Sequence, residues 1–285
     1  MKGLARSYCE CHALAESSVV QTEIAVRHWD AFFQGRGVQS LSALDYARFA
    51  VHLRQIVGPA TANKTRAHLL AVLRWGASVG LIDCDPAWEA WKKSKEPRKA
   101  PLAFTQEEFR DVLSTAKAWP GWICGVPTSV WWESLLLAIW YSGARIGAVL
   151  AVQWKDVLFD RPGFYVRAEY QKQAADQFFV VGQDCCDALD RASKPERELV
   201  WPWPHRREAL YRRFRKILSL AGVQAPAGAG SLFHRIRRST ASYIRAAGGD
   251  ATAQLGHSCS SVTQRYFDPR IVGSHDSTGS MPDLH

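Results

Sequence analysis

His234-Arg235-Ile236-Arg237 opens the run that decides the fold, and Leu255-Gly256-His257-Ser258 and Thr263-Gln264-Arg265-Tyr266 close it. Three positions apart, His234 and Arg237 fall on one face of a helix. Gly256 stands where a helix can end in a left-handed turn, with His257 just beyond it and Tyr266 nine positions further on. Upstream, Tyr141-Ser142-Gly143-Ala144-Arg145-Ile146-Gly147 sets an arginine directly after a turn, at the opening of another helix. Taken singly, each group has an ordinary reading: an arginine caps a helix, a histidine is satisfied in a core, a tyrosine packs as an aromatic. Their joint order and spacing are what the ordinary readings do not explain.

Outward from that run, the pattern is mainly α with a small antiparallel β-sheet or hairpin. An apolar helix is predicted from about Ser129 to Tyr141 and another from about Arg145 to Val152. Phe164 to Ala168 and Gln177 to Val181, rich in Phe, Tyr and Val around a polar turn, predict the hairpin. Helices return from about Arg206. Thr105-Gln106-Glu107-Glu108 is a capping box, so a domain opens at about residue 102 and runs to about 270. Before it, Lys92 to Pro101 holds five basic residues and two prolines and reads as an extended linker.

Residues 21–91 read as a separate helical unit. Ile24, Val26, Trp29, Phe32 and Phe33 form one stripe, and Ser42 caps a second helix carrying Leu44, Ala47, Phe49, Ala50 and Leu53. A third helix runs from about Thr61 to Gly80, and a short last one carries Trp88 and Trp91. The twelve tryptophans fall mostly on apolar faces and are assigned to core packing. Residues 1–20 are expected to be a flexible N-terminus and 271–285 a polar tail. Cys9-Glu10-Cys11-His12 offers metal-ligand types, but no second pair stands nearby to complete a tetrahedron, so no metal is assigned.

The 285 residues, 47% hydrophobic and 22% charged, exclude a disordered or fibrous chain. The longest apolar stretch, Ser134 to Ala144, is far short of the roughly 20 residues that span a bilayer. No apolar core follows the basic start, so a secretory signal is not expected, and seven scattered cysteines suit a reducing, cytoplasmic compartment. Lys plus Arg exceeds Asp plus Glu by 36 to 27. The excess gathers in the linker and in Arg206-Arg207, Arg212-Arg213 and Arg215-Lys216. Such runs are commonly solvated helix faces, but two of them in one basic chain favour a nucleic-acid partner.

The three boxes resemble those of the tyrosine recombinases of the phage integrase family: arginine in the first, His-x-x-Arg in the second, Leu-Gly-His followed nine later by tyrosine. The helical unit, with Leu81-Ile82 before Pro86, and the basic linker look like that family's core-binding, SAM-like DNA-binding domain. The resemblance implies a two-domain site-specific recombinase of a phage or mobile element, cutting and rejoining double-stranded DNA through a 3′-phosphotyrosyl bond. It makes Tyr266 the nucleophile, Arg145 and Arg237 the phosphate clamp, and His234 and His257 supporting donors or proton-transfer groups. Lys172, in Tyr170-Gln171-Lys172-Gln173, matches the family's hairpin lysine. No cofactor is implied. Partners implied are a homotetramer on two duplexes and accessory DNA-bending proteins. Alternatives left open are a type IB topoisomerase-like activity and a catalytically weakened DNA-binding remnant. For the last, the hints are the short polar tail after Tyr266 and Ala148, because the family usually carries an acidic residue three after the first arginine.

These residue types suit that chemistry. Displacement at a phosphodiester gathers negative charge on the nonbridging oxygens, which fixed guanidinium forks meet. A phenol with a reference pKa of about 10 sits roughly 4 kcal/mol from its anion at neutral pH, so a neighbour must take its proton. A histidine is suited to that.

Overall fold

The computed structural model describes residues 1–83, 86–97, 100–194, 196–226 and 232–273. The chain divides into two compact units, Met1–Arg98 and Lys99–His285. It is mainly α with two small antiparallel sheets, in line with the sequence pattern.

In the first unit α1 (Lys2–Cys11), α2 (Glu16–Phe33), α3 (Ala43–Ile56) and α4 (Pro59–Ser78) surround an aromatic core. Trp29, Phe33, Tyr46, Phe49, Leu53, Leu69, Leu73 and Trp91 are all buried there. Each apolar side chain so placed contributes about 1.5–3 kcal/mol. Ser42 caps α3 in a reciprocal box with Asp45, and Pro59 sits at the first position of α4, where its missing N–H costs nothing. Leu44, expected on the apolar face, is instead exposed, because Tyr46, Phe49 and Leu53 carry that face.

Residues 1–20 are not the flexible terminus the sequence predicts. Lys2–Cys11 is helical, Ala5 is buried, and Leu4 lies against Gly76, where a Cβ would stand 2.8 Å from Leu4 Cδ1. Packing on α4 fixes this short helix, as few isolated ten-residue helices fix themselves. His12 bonds the Tyr8 carbonyl at 3.0 Å and stands edge-on to Trp75. The linker also begins less freely than its composition suggests. Asn63 Nδ2 donates to Ser94 O at 2.9 Å, and Asn63 Oδ1 accepts from Ser94 N at 2.8 Å. Arg98 and Lys99 lie outside the described residues.

The second unit begins with α5 (Gln106–Lys117), capped by Thr105 and Glu108 as the sequence predicts. A two-residue hairpin, β1 (Trp122–Ile123) and β2 (Val126–Pro127), leads into α6 (Thr128–Ser142). Trp131, Trp132, Leu135, Leu136, Ala138 and Ile139 are buried around all sides of α6, which is therefore the core helix rather than a surface one. The helix expected over 145–152 is a single turn, α7 (Ile146–Val149).

Three strands follow, β3 (Val157–Leu158), β4 (Gly163–Val166) and β5 (Gln177–Val180), in the order β3-β4-β5 and all antiparallel. Phe164 pairs with Phe179 on the buried face. Then come α8 (Gln183–Ala192), α9 (Arg207–Leu220), α10 (Leu232–Ala246), α11 (Ala251–Leu255), α12 (Ser260–Thr263) and α13 (Pro269–Val272). Of the expected polar tail, Ile271 and Val272 belong to α13, while 274–285 lie outside the described residues. No helix among the described residues is long and apolar enough to cross a membrane.

Candidate active site

Two glycines shape the ground on which the site stands. Gly143 ends α6 with φ +62°, and a Cβ there would meet Leu255 Cδ2 at 2.7 Å and Thr240 at 3.2 Å. Only glycine combines that turn with so close an approach of α10 and α11. Gly256 ends α11 with φ +60°, and a Cβ there would collide with the Gln173 side chain. The Gln173 turn and the end of α11 are thereby brought together. Gln177 fastens them, Nε2 donating to the carbonyls of Ala253 at 3.2 Å and Gln254 at 3.0 Å.

Arg237, buried on α10, reaches across this junction. It donates to the Gly143 carbonyl and, at 2.8 Å, to the Leu255 carbonyl, and its Nη2 lies 3.0 Å from His257 Nε2. Among the described residues its buried Nε has no acceptor. Arg235, two residues earlier, shows the contrast: it bonds both oxygens of Glu108 at 2.8 and 2.7 Å and packs on Phe104. One arginine of the box is thus spent on structure. The other faces the cleft with no carboxylate beside it.

His234 Nε2 stands 2.9 Å from Tyr266 Oη. The rings of His234 and His257 each lie 5.0 Å from that of Tyr266, and the Arg237 guanidinium carbon is 5.8 Å from its centroid. His257 Nδ1 is 3.0 Å from Thr263 Oγ1, which fixes the ring's rotation. The backbone on either side of the phenol is also held. Ser242 Oγ donates to Tyr266 O at 3.3 Å and accepts from Asp268 N at 2.9 Å, and the buried Asp268 carboxylate accepts from Ala103 N at 2.8 Å. Arg270 forks onto the same carboxylate. Thr263, Ser242 and Asp268 were not singled out from sequence, since single hydroxyls and a lone acid carry no spacing signal.

Arg145 precedes α7 and is half-buried. Its carbonyl accepts from Ala148 N at 2.8 Å and Val149 N at 3.0 Å, while its guanidinium makes no hydrogen bond or ion pair among the described residues. With Gly147, Ala148, Tyr170, His234 and Arg237 it lines a cleft of about 310 Å³. Lys172 is exposed in the turn before β5, without a partner among the described residues, two residues from the cleft-lining Tyr170. The structure therefore gathers Arg237, His234, His257 and Tyr266 by direct contacts, places Arg145 on the same cleft, and does not bring Lys172 into the cleft lining.

Electrostatics follow from crowding cations in a half-dry space. Burial first, then Arg237, Arg238 and Arg145, pushes His234 down to about 4. Burial, then Arg237 and Arg145, brings His257 to about 4 as well. Both rings are neutral at pH 7. Burial and Arg145 push the Arg237 guanidinium down to about 10, with Tyr266 opposing. An anion entering the cleft would relieve the arginine contribution at all three.

A model of the phage integrase family matches residues 88–271, more than half of the sequence. The chain belongs to the phage integrase family. Among solved structures, all of this integrase-family chain overlays 99% of a lambda integrase in a dimer bound to a COC′ core site, with a TM-score of 0.75 and 15% identity. It matches equally well, at 16% identity and over 80% of that chain, a lambda integrase tetramer bound to a Holliday junction. The Tn1549 transposon integrase, in complex with circular intermediate DNA, matches over 97% of this chain and 98% of its own, with a TM-score of 0.69 and 13% identity. At such identities the likeness is one of fold. No curated protein matches the sequence.

Proposed function

We propose that this member of the phage integrase family, a family of site-specific recombinases, cuts and rejoins duplex DNA for a phage or mobile element, with Tyr266 as its nucleophile. The observation that carries this reading is the 2.9 Å contact of His234 Nε2 with Tyr266 Oη, made beside Arg237, whose Nε has no acceptor among the described residues.

A phosphodiester in the cleft accepts hydrogen bonds from Arg145 and Arg237, and its charge offsets theirs. As Tyr266 Oη bonds to phosphorus, the phenol proton passes to His234, neutral and already within hydrogen-bond distance. The bond from phosphorus to the 5′ oxygen breaks, and that oxygen takes a proton from Lys172, on the exposed turn two residues beyond Tyr170. The 3′-phosphotyrosyl ester conserves the broken linkage, so a 5′ hydroxyl from another strand can reverse the step. Arg237 also keeps His257 in place, so its loss removes two supports of the growing charge. Four chains on two duplexes is the assembly proposed for the exchange, supported by the likeness to a lambda integrase tetramer bound to a Holliday junction.

The test is a randomised library of nicked suicide duplexes offered to the full chain, with covalent product scored on a denaturing gel. A DNA-linked protein band from wild type, absent from Tyr266→Phe, is expected. Failure to form any covalent product, while salt-sensitive DNA binding persists, would overturn the reading and favour a binding protein without strand transfer. Relaxation of supercoiled DNA at any sequence would favour a type IB topoisomerase-like activity.

A further inference from the structure

Arg207 belongs to a basic run that reads from sequence as a solvated helix face, and it is the first residue of α9. Its place is more specific than that. Arg207 lines the same cleft as Arg145, His234 and Arg237, together with Tyr170 and Tyr211. It lies over the turn of α7: a Cβ on Gly147 would stand 3.0 Å from Arg207 Nη2. The bare backbone at Gly147 gives the guanidinium its path across that turn. Among the described residues the Arg207 guanidinium has no hydrogen bond or ion pair, although Glu208 follows it in the same helical turn. No carboxylate lines the cleft.

Charge counting then asks for a second anion. Arg145, Arg207 and Arg237 bring three unit charges to one cleft, and a single phosphodiester carries one negative charge. Cations left so close without counter-charge repel one another, more strongly where water is excluded. Successive phosphates of one DNA strand supply anions at the spacing of neighbouring nucleotides, and a guanidinium fork grips such oxygens in pairs. We infer that Arg207 holds the backbone phosphate adjacent, on the cleaved strand, to the one that Tyr266 attacks. The Tyr211 hydroxyl, on the same cleft, is a neutral donor for the same group, whereas the Tyr170 hydroxyl is engaged by the Glu169 carboxylate. Arg207 thereby fixes the register of the strand, a task separate from stabilising the charge that develops at the reacting phosphorus. This inference rests on the cleavage reading above.

The experiment uses the full chain and a suicide duplex recovered by covalent capture, in wild-type, Arg207→Ala and Arg207→Lys forms. Arg207 is exposed, so the variants are expected to keep the wild-type Tm. Single-turnover cleavage by Arg207→Ala should fall about tenfold or more, the worth of a hydrogen bond to a charged group. The slope of log affinity against log salt should fall by about one. Neutral methylphosphonates placed singly along the cleaved strand locate the contact. At the adjacent position wild type should drop to the Arg207→Ala rate, and the variant should lose nothing more. Wild-type cleavage by Arg207→Ala, or a loss that persists at every neutral position except the scissile one, overturns the inference alone. No covalent product from wild type overturns the cleavage reading, and the inference with it.

Discussion

Two walls of one cleft are prepared to different degrees. On the wall made by α10 and α11, Arg237 is buried, tied to two carbonyls and 3.0 Å from His257, which is itself 3.0 Å from Thr263. On the wall made by the end of α6 and the single turn of α7, Arg145 is half-buried and its guanidinium makes no bond among the described residues. The first wall is organised by the chain's own hydrogen bonds before any ligand arrives. The second offers a free guanidinium, whose order must come from the anion it meets. The difference teaches where folding stability and ligand binding are coupled: at Arg237 one side chain serves both, while at Arg145 the two are separate.

Substitution separates them. Arg237→Ala should give the largest effect, leaving the Gly143 and Leu255 carbonyls without their donor and removing a charge from the site. Cleavage should fall by about 100-fold or more. Thermal unfolding should register a loss of about 1–3 kcal/mol for each buried carbonyl left unpaired. Arg145→Ala should lower cleavage to a comparable degree and leave Tm unchanged, since it breaks no bond of the empty protein. An Arg145→Ala variant that melts well below wild type would erase the contrast between the walls.

A smaller effect comes from pH. His234 and His257, both near 4 when folded, bind protons more tightly in the unfolded chain, where a histidine titrates near 6.5. Between about pH 6.5 and 4 the unfolded state therefore holds more protons, and stability falls as pH falls. Above 6.5 this contribution is complete and flat. Tm should decline by several degrees across that window in the DNA-free protein, and His234→Gln should remove part of the decline.

Much of this arrangement was legible in the sequence because it is local. His234 and Arg237 share a helix face by spacing alone, Gly256 announces the end of α11, and the Thr105 and Ser42 caps sit where their hydroxyls predict. The hairpin's two longer strands follow from Phe164, Phe179 and their neighbours. What escaped depends on partners distant in the chain. Helix α1 was invisible because Leu4 and Ala5 make a stripe only once Gly76 opposes it. Helix α8 buries Cys185, Cys186, Ala188 and Leu189, a face too weakly apolar to stand out. Ala148 replaces an expected acid, and its burial against the core explains how α7 persists without one. Arg207 lies 60 residues beyond Gly147, and nothing in the sequence connects the two.

The clasp around Asp268 has a consequence for ownership. Two residues beyond Tyr266 the chain is riveted to its own body, through the Ala103 amide and the Ser242 hydroxyl, and Ser242 grips the carbonyl of Tyr266 itself. On the proposed reading, a phenol held on so short a leash serves the cleft of its own chain. Each chain would then bring a whole pair of scissors rather than one blade, and the number of strands cut would follow the number of chains seated.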